Sequence, residues 1–332
     1  MFVESGYSFF THADYFQYGP YDGKALYLRH DADRNIEIAL VMARIENELG
    51  IKATYYLLPP GDYGQEENYY GAIIGSQLVP SNRLKEVVLE MASMGHEIGL
   101  HNDFVQLSVK LGRDVEDVIS EQIEYFKNIG IRIIGTASHG SEFVKTHGFV
   151  NYQIFSECKQ AKSVARMLSL PEGRSFELFS IAYKQLGLEY EAYSIKRDCY
   201  ISDSSGIFSV NKAEIEAVNL LHLKEGIADA KAVVALLHPD WWTVQAPAKK
   251  NLIKAFADMA DKFFPSGQKI KKLQEQVATL RQNNEALVHS WLVSEKERKT
   301  LRGKLDEQKE KSRALYARNK EYADRLNKKT IL

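Results

Sequence analysis

Ala25-Leu26-Tyr27-Leu28-Arg29-His30-Asp31-Ala32-Asp33 is an apolar run that ends in two carboxylates, and its reading decides the fold. Ala25 to His30 reads as a strand. The next segment, from about Asn35 to Leu49, places Ile36, Ile38, Ala39, Met42, Ala43 and Ile45 at helical spacing and stops at Gly50. Ile51 to Leu58 is a second strand-like run, broken by Pro59-Pro60-Gly61. Strand, helix and strand in this order make a β/α unit, and the pattern continues along the chain. Ser81 and Asn82 are caps for a helix to about Ser93, with a strand at Glu97 to His101; a helix from Val115 to Asn128 precedes a strand at Arg132 to Gly135. Tyr200 to Ser202 and Ala232 to Leu237 are later strands, whereas residues 149–193 show no clear pattern. The tyrosine-rich loop from Pro59 to Gly71 has a length that often marks function. About seven strand candidates favour a barrel-like (β/α) domain over an open sheet, with the domain spanning residues 1–265.

Phe264-Pro265-Ser266-Gly267 is a cluster of breakers, and residues 266–332 form a second part rich in Lys, Glu, Gln, Arg and Leu. Ile270, Leu273, Val277, Leu280, Leu287 and Trp291 fall on an a/d pattern with Asn284 at an a position, which predicts a long helix, a coiled coil and a homo-oligomer. From Gln268 onward 17 Lys+Arg stand against 9 Asp+Glu, so a net charge of −1 hides about +8 here and about −9 before it. Solvated basic helix faces are common, and nucleic acid is not an expected partner. No run of about 18 apolar residues could span a bilayer, and Met1-Phe2-Val3-Glu4-Ser5 lacks the features of an export signal, so the expected location is the cytoplasm. Cys158 and Cys199 are too few for a disulfide framework.

Asp31 and Asp33, two apart on a strand, project to the same side. At the carboxyl end of a parallel strand such a pair either binds a cation or divides into ligand and general base; the bland alternative is that Asp33 caps the following helix. In Gly95-His96-Glu97-Ile98-Gly99-Leu100-His101-Asn102-Asp103 the two histidines lie about 16 Å apart on opposite faces and cannot share an ion. His101 falls on the rim of Asp31 and Asp33, and His96 is structural. Asp103 can turn to the same rim, His139 and His238 each follow a predicted strand, and Asp203 follows the Tyr200 strand. Imidazoles with carboxylates suit zinc, or a harder ion such as manganese or iron(II). Trp241 and Trp242 read equally well as ring-stacking surfaces or as core aromatics.

Three segments in this order, Arg29-His30-Asp31-Ala32-Asp33, Gly50-Ile51-Lys52-Ala53-Thr54-Tyr55-Tyr56 and Gly95-His96-Glu97-Ile98-Gly99-Leu100-His101, resemble the polysaccharide deacetylase (NodB-homology) superfamily. The likeness is to the branch from surface-polysaccharide and O-antigen loci, covers about residues 20–245 and belongs broadly with carbohydrate esterase family 4. It implies a distorted (β/α) barrel holding one divalent ion, zinc first, with manganese, iron or nickel as alternatives. It also implies roles: Asp31 as general base, Asp33 and His101 as ligands, His238 as general acid and Asp203 as its orienting partner. Arg29, Trp241 and Trp242 are the expected substrate contacts. The implied reaction is hydrolysis of the acetamido group of a nucleotide- or lipid-linked sugar during surface glycan synthesis. Two features depart from the pattern. Val105 stands where a second metal histidine is usual, leaving the third ligand open between Asp103 and His139, and Thr136-Ala137-Ser138-His139-Gly140 replaces an arginine-containing motif. The alternatives are a catalytically silent barrel that binds a glycan or scaffolds a complex, and a hydrolase of another C–N bond.

Overall fold

The computed structural model describes residues 2, 5–61, 66–204, 209–211, 213–214, 227 and 229–242. The expected coiled coil of residues 266–332, and the oligomer built on it, lie outside the described residues. The strands are β1 (Ser8–Phe10), β2 (Ala25–Ala32), β3 (Thr54–Leu57), β4 (Gly71–Ile74), β5 (Gln77–Pro80), β6 (Glu97–Asn102), β7 (Gly135–Ser138), β8 (Met167–Ser169), β9 (Ser175–Glu177), β10 (Tyr190–Glu191), β11 (Cys199–Ser202), β12 (Ser209–Val210), β13 (Ala213–Glu214) and β14 (Ala232–Leu237). The α-helices are α1 (His12–Tyr18), α2 (Ile36–Glu48), α3 (Asn82–Ser93), α4 (Phe104–Leu111), α5 (Val115–Asn128) and α6 (Glu142–His147).

The main sheet runs β10-β7-β6-β3-β2-β14-β11-β12-β13, parallel as far as β11 and antiparallel beyond it. β2 is its centre. It pairs with β14 from Ala25 to His30, with β3 from Arg29 to Ala32, and with the short β1 from Ala25 to Tyr27. This is the strand order of a barrel cut once. Among the described residues β10 and β11 do not pair, so the sheet is a curled half-barrel in a mixed α/β fold, and of the distorted (β/α) barrel expected a full barrel is not seen. The curl is visible in one contact: Tyr56 on β3 donates a hydrogen bond of 3.2 Å to Tyr190 on β10, although β6 and β7 lie between them. In a flat sheet those strands would be about 14 Å apart.

Alternation along the strands divides the interior from the helix layer. On β2, Leu26, Leu28 and Ala32 join the large core under the helices, whereas Ala25 and Tyr27 join a smaller inner cluster with Val234 and Ile195. Helix α2 starts where Asn35 Oδ1 accepts the amides of Glu37 and Ile38, and it buries Ile36, Ala39, Leu40 and Ala43 against the sheet. Asn35, not Asp33, is thus the cap, which releases Asp33 for another role. Helix α3 is capped by Ser81 and α5 by Asp114, each burying one apolar stripe.

Two interior glycines have a packing cause. A Cβ on Gly99 would lie 2.5 Å from the Tyr56 ring, and one on Gly135 would lie 2.1 Å from the Tyr190 ring. The large phenols that cross the interior fit because β6 and β7 carry no side chain there.

The sequence reading placed one strand three residues early. Ile133 and Ile134 are buried, but the ladder with β6 begins only at Thr136 opposite Leu100, so the apolar run reported burial against neighbouring residues and not pairing. The β4–β5 hairpin and α4 carry no expectation from sequence, and residues 149–193 fold mainly as short 3-10 turns, the β8–β9 hairpin and β10. No helix among the described residues is long and apolar enough to cross a membrane.

Candidate metal centre

The carboxyl ends of β2, β6, β7 and β14 bring their inward side chains to one cleft of about 310 Å³. Asp31 and Asp33 come from the end of β2, His101 from β6, His139 from just past β7 and His238 from just past β14; all five line it. Asn68, Ser138, Lys145, Tyr193 and Trp241 complete much of the wall. The side chain of Trp242 lies outside the described residues.

Asp33, His101 and His139 offer ligand atoms within 4.8 Å of one another. The chemistry of His101 is informative. Its Nδ1 lies 2.8 Å from the Ala137 carbonyl, which only accepts, so Nδ1 carries the proton and Nε2 presents a lone pair. Burial, the largest influence, pushes this imidazole down to about 3, so it is neutral. Yet Nε2 faces acceptors, Asp31 Oδ2 at 3.2 Å and Asp33 Oδ1 at 3.4 Å. Asp33 Oδ1 is buried without a hydrogen-bond partner. Burial also pushes the Asp33 carboxyl up to about 7, outweighing the opposing influence of His139 and His238. Three acceptors that converge without a donor between them fit a cation, and a divalent ion would reverse the effect of burial on Asp33.

Asp31 differs from Asp33 in its partners. Burial alone would raise it, but the Arg29 guanidinium, bonded through Nε and Nη2 at 2.7 Å each, holds it well below the usual carboxylate range. Arg29 is 1% exposed and lies between the rings of Tyr56 and Tyr193, each 5.3 Å away. Arg29, expected as a substrate contact, is instead seen bonded to Asp31 and flanked by two aromatic rings. It brings to Asp31 the arginine that the Thr136 to Gly140 segment lacks.

Of the two candidates for a third ligand, Asp103 lies further from Asp33 and His101 than His139 does. It does not join the group that converges with Asp33; its Oδ1 accepts from Ser141 and Asn151, and its Oδ2 faces His139 Nδ1 at 3.5 Å. It stands behind a ligand candidate, where it can orient the ring. Val105 lies in α4, fully buried in the apolar core, and has no part in the cleft. His96 donates or accepts only at the outer face, with Ala43 O and Ala53 N, as its position on the opposite side of β6 requires.

His238 approaches from the other wall. Its Nε2 is 4.0 Å from Asp31 Oδ2 and 3.9 Å from Asp33 Oδ2, while its Nδ1 donates to Asp203 Oδ1 at 2.6 Å. Burial works to lower the imidazole, but the bond to Asp203 and the charges of Asp31 and Asp33 outweigh it and the pKa is raised. The wall opposite the three converging acceptors therefore favours a protonated imidazole more than water does.

Sequence reasoning did not single out Asn68, Lys145 or Tyr193. Tyr193 lies in the stretch without a pattern, and no spacing signal links any of the three to the rim. No family model matches the chain, and no match to it was found among curated proteins.

Proposed function

We propose that the protein is a metal-dependent hydrolase of the polysaccharide deacetylase kind, removing the acetyl group from an N-acetylated sugar. The observation that supports this most is the neutral His101 Nε2 directed at two carboxylate oxygens, with His139 beside them and the His238–Asp203 pair opposite. Asp33, His101 and His139 would hold the ion, and two imidazoles with one carboxylate suit zinc before manganese, iron or nickel. When bound, the ion supplies Lewis acidity that polarises the acetamide carbonyl and makes water more acidic.

The chain's own residues do the rest. Asp31, kept ionised and fixed in direction by Arg29, accepts the proton of the attacking water. His238 gives its Nε2 proton to the departing amine, and Asp203 keeps the ring in the tautomer and orientation for that transfer. Tyr193 and Trp241 border the cleft where a sugar ring would lie. The products are acetate and an amino sugar. We place this reaction in the cytoplasm, on a nucleotide- or lipid-linked sugar of surface glycan synthesis, with the C-terminal segment making a homo-oligomer.

The reading as a silent scaffold drew on Val105 in place of a second histidine and on the missing arginine motif; the place of His139 beside Asp33 and His101 favours the enzyme over it. Hydrolysis of another C–N bond retains the same residues and differs only in substrate. Zinc-loaded protein incubated with a panel of free and nucleotide-linked N-acetyl sugars should release acetate. No acetate from any of them, or an undiminished rate in Asp31→Asn, would overturn the proposal.

A further inference from the structure

The loop between β3 and β4 sends one side chain back into the end of the sheet. Tyr69 is partly buried, and its hydroxyl donates to the Ala32 carbonyl at 2.5 Å and accepts the Leu58 amide at 2.8 Å. The ladder between β2 and β3 is ending at this point: Leu58 N still reaches Ala32 O, but at 3.3 Å. The phenol thus stands as an added rung on the peptide that joins Ala32 to Asp33. Neighbouring Asn68 fastens the loop itself, its Nδ2 donating to the Leu58 carbonyl at 3.0 Å.

On the other side of Asp33 the chain is also held. Asp240, from the turn after β14, accepts the Arg34 amide at 2.9 Å. Asp33 is therefore flanked by two residues whose backbones are tied to different loops, Ala32 through Tyr69 and Arg34 through Asp240. The Asp33 side chain itself has no such tie at Oδ1. Its direction follows from the backbone that carries it.

We propose that Tyr69 is a positioning residue for the metal centre: its hydroxyl fixes the backbone at Ala32 so that the Asp33 carboxylate is already aimed at the space shared with His101 and His139. This rests on the reading of those three residues as a metal site. The principle is that groups outside the ligand set hold ligands in place and that losing one typically weakens metal binding by about 10- to 100-fold. The tyrosine-rich loop whose length suggested a function acquires one here, through a residue that does not line the cleft.

The test is calorimetric titration of zinc alone into the full-length, metal-depleted chain, in wild type, Tyr69→Phe and Tyr70→Phe. Tyr70 is an adjacent buried phenol whose hydroxyl donates to Gln122 Oε1 at 2.8 Å, remote from Asp33, so its removal reports a general loss of one buried hydrogen bond. Wild type should bind about one ion, Tyr69→Phe should bind it about 10- to 100-fold more weakly, and Tyr70→Phe should match wild type. Equal affinity in wild type and Tyr69→Phe overturns the role of Tyr69 while leaving the metal site standing. An equal loss in Tyr70→Phe overturns it too, by showing a general structural effect. No binding by wild type overturns the site itself. Should Tyr69→Phe not fold, Asp240→Ala carries the test from the other side of Asp33, and an unchanged affinity there counts against the clasp.

Discussion

Two aspartates separated by one alanine divide their work through their neighbours. Asp31 has Arg29 two residues before it on the same face of the strand, and is thereby kept ionised; Asp33 has no such two-point partner, and its Oδ1 is buried without a hydrogen bond. Alternation made the shared direction of these carboxylates legible in the sequence, and the loops that follow predicted strands placed His139 and His238 on the rim. The choice between Asp103 and His139 was not legible. Asp103 sits at the cap position of α4 with φ of −131° and ψ of 36°, a turn that directs its side chain behind His139, and no strand periodicity extends into such a turn. The His238 and Asp203 pair yields a prediction at this scale. Asp203 and the charges of Asp31 and Asp33 raise the pKa of His238, so its protonated form persists to higher pH than an ordinary imidazole's, and activity should fall as pH rises through that pKa. Asp203→Asn removes the charge that raises it, so the alkaline limb of the kcat profile should move to lower pH. A limb that stays in place would show that His238 is not the group that limits the rate there.

At the scale of elements, helices were easier to read than the loops between them. The cap at Asn35 and the stripe through Ala39 and Ala43 state where α2 begins and which face it buries, and both are local properties. The placement of β7 failed because burial and pairing coincide in most strands but not at Ile133 and Ile134. Tyr69 could not have been found at all: its role depends on how a loop with two adjacent tyrosines returns to the sheet, and only one of the two phenols meets Ala32. Packing in the interior gives the prediction here. Gly135→Ala would drive a methyl into the Tyr190 ring, which β7 has no room to accept. Overpacking of this kind costs about 1–3 kcal/mol, so thermal unfolding should shift clearly downward. An unchanged Tm would mean that Tyr190 can withdraw and that the inner phenols are not closely packed.

For the molecule as a whole, the interior of the half-barrel has a polar floor under the cleft. Glu97 at the start of β6 accepts from Thr54 Oγ1 at 2.7 Å and from the Ala13 amide at 2.8 Å, and the Tyr190 hydroxyl also donates to it. Burial nonetheless pushes its carboxyl up to about 7 from an ordinary 4.5. The folded chain therefore binds this proton more tightly than the unfolded chain does. Its stability should fall as pH rises from about 4.5 to about 7, and Glu97→Gln should flatten that slope in denaturant titrations. A slope of the same size in the variant would assign it to other groups, Glu191 first, whose carboxyl burial also pushes up to about 7.

The largest claim concerns the whole rim: four strands, far apart in sequence, end together so that three ligands and an acid–base pair share one cleft. Metal content of the purified full-length protein, measured by elemental mass spectrometry after zinc supplementation and dialysis, tests it most directly. The account predicts about one ion per chain in wild type and a loss of most of it in His139→Ala. Wild type without metal, or His139→Ala retaining as much as wild type, would contradict it.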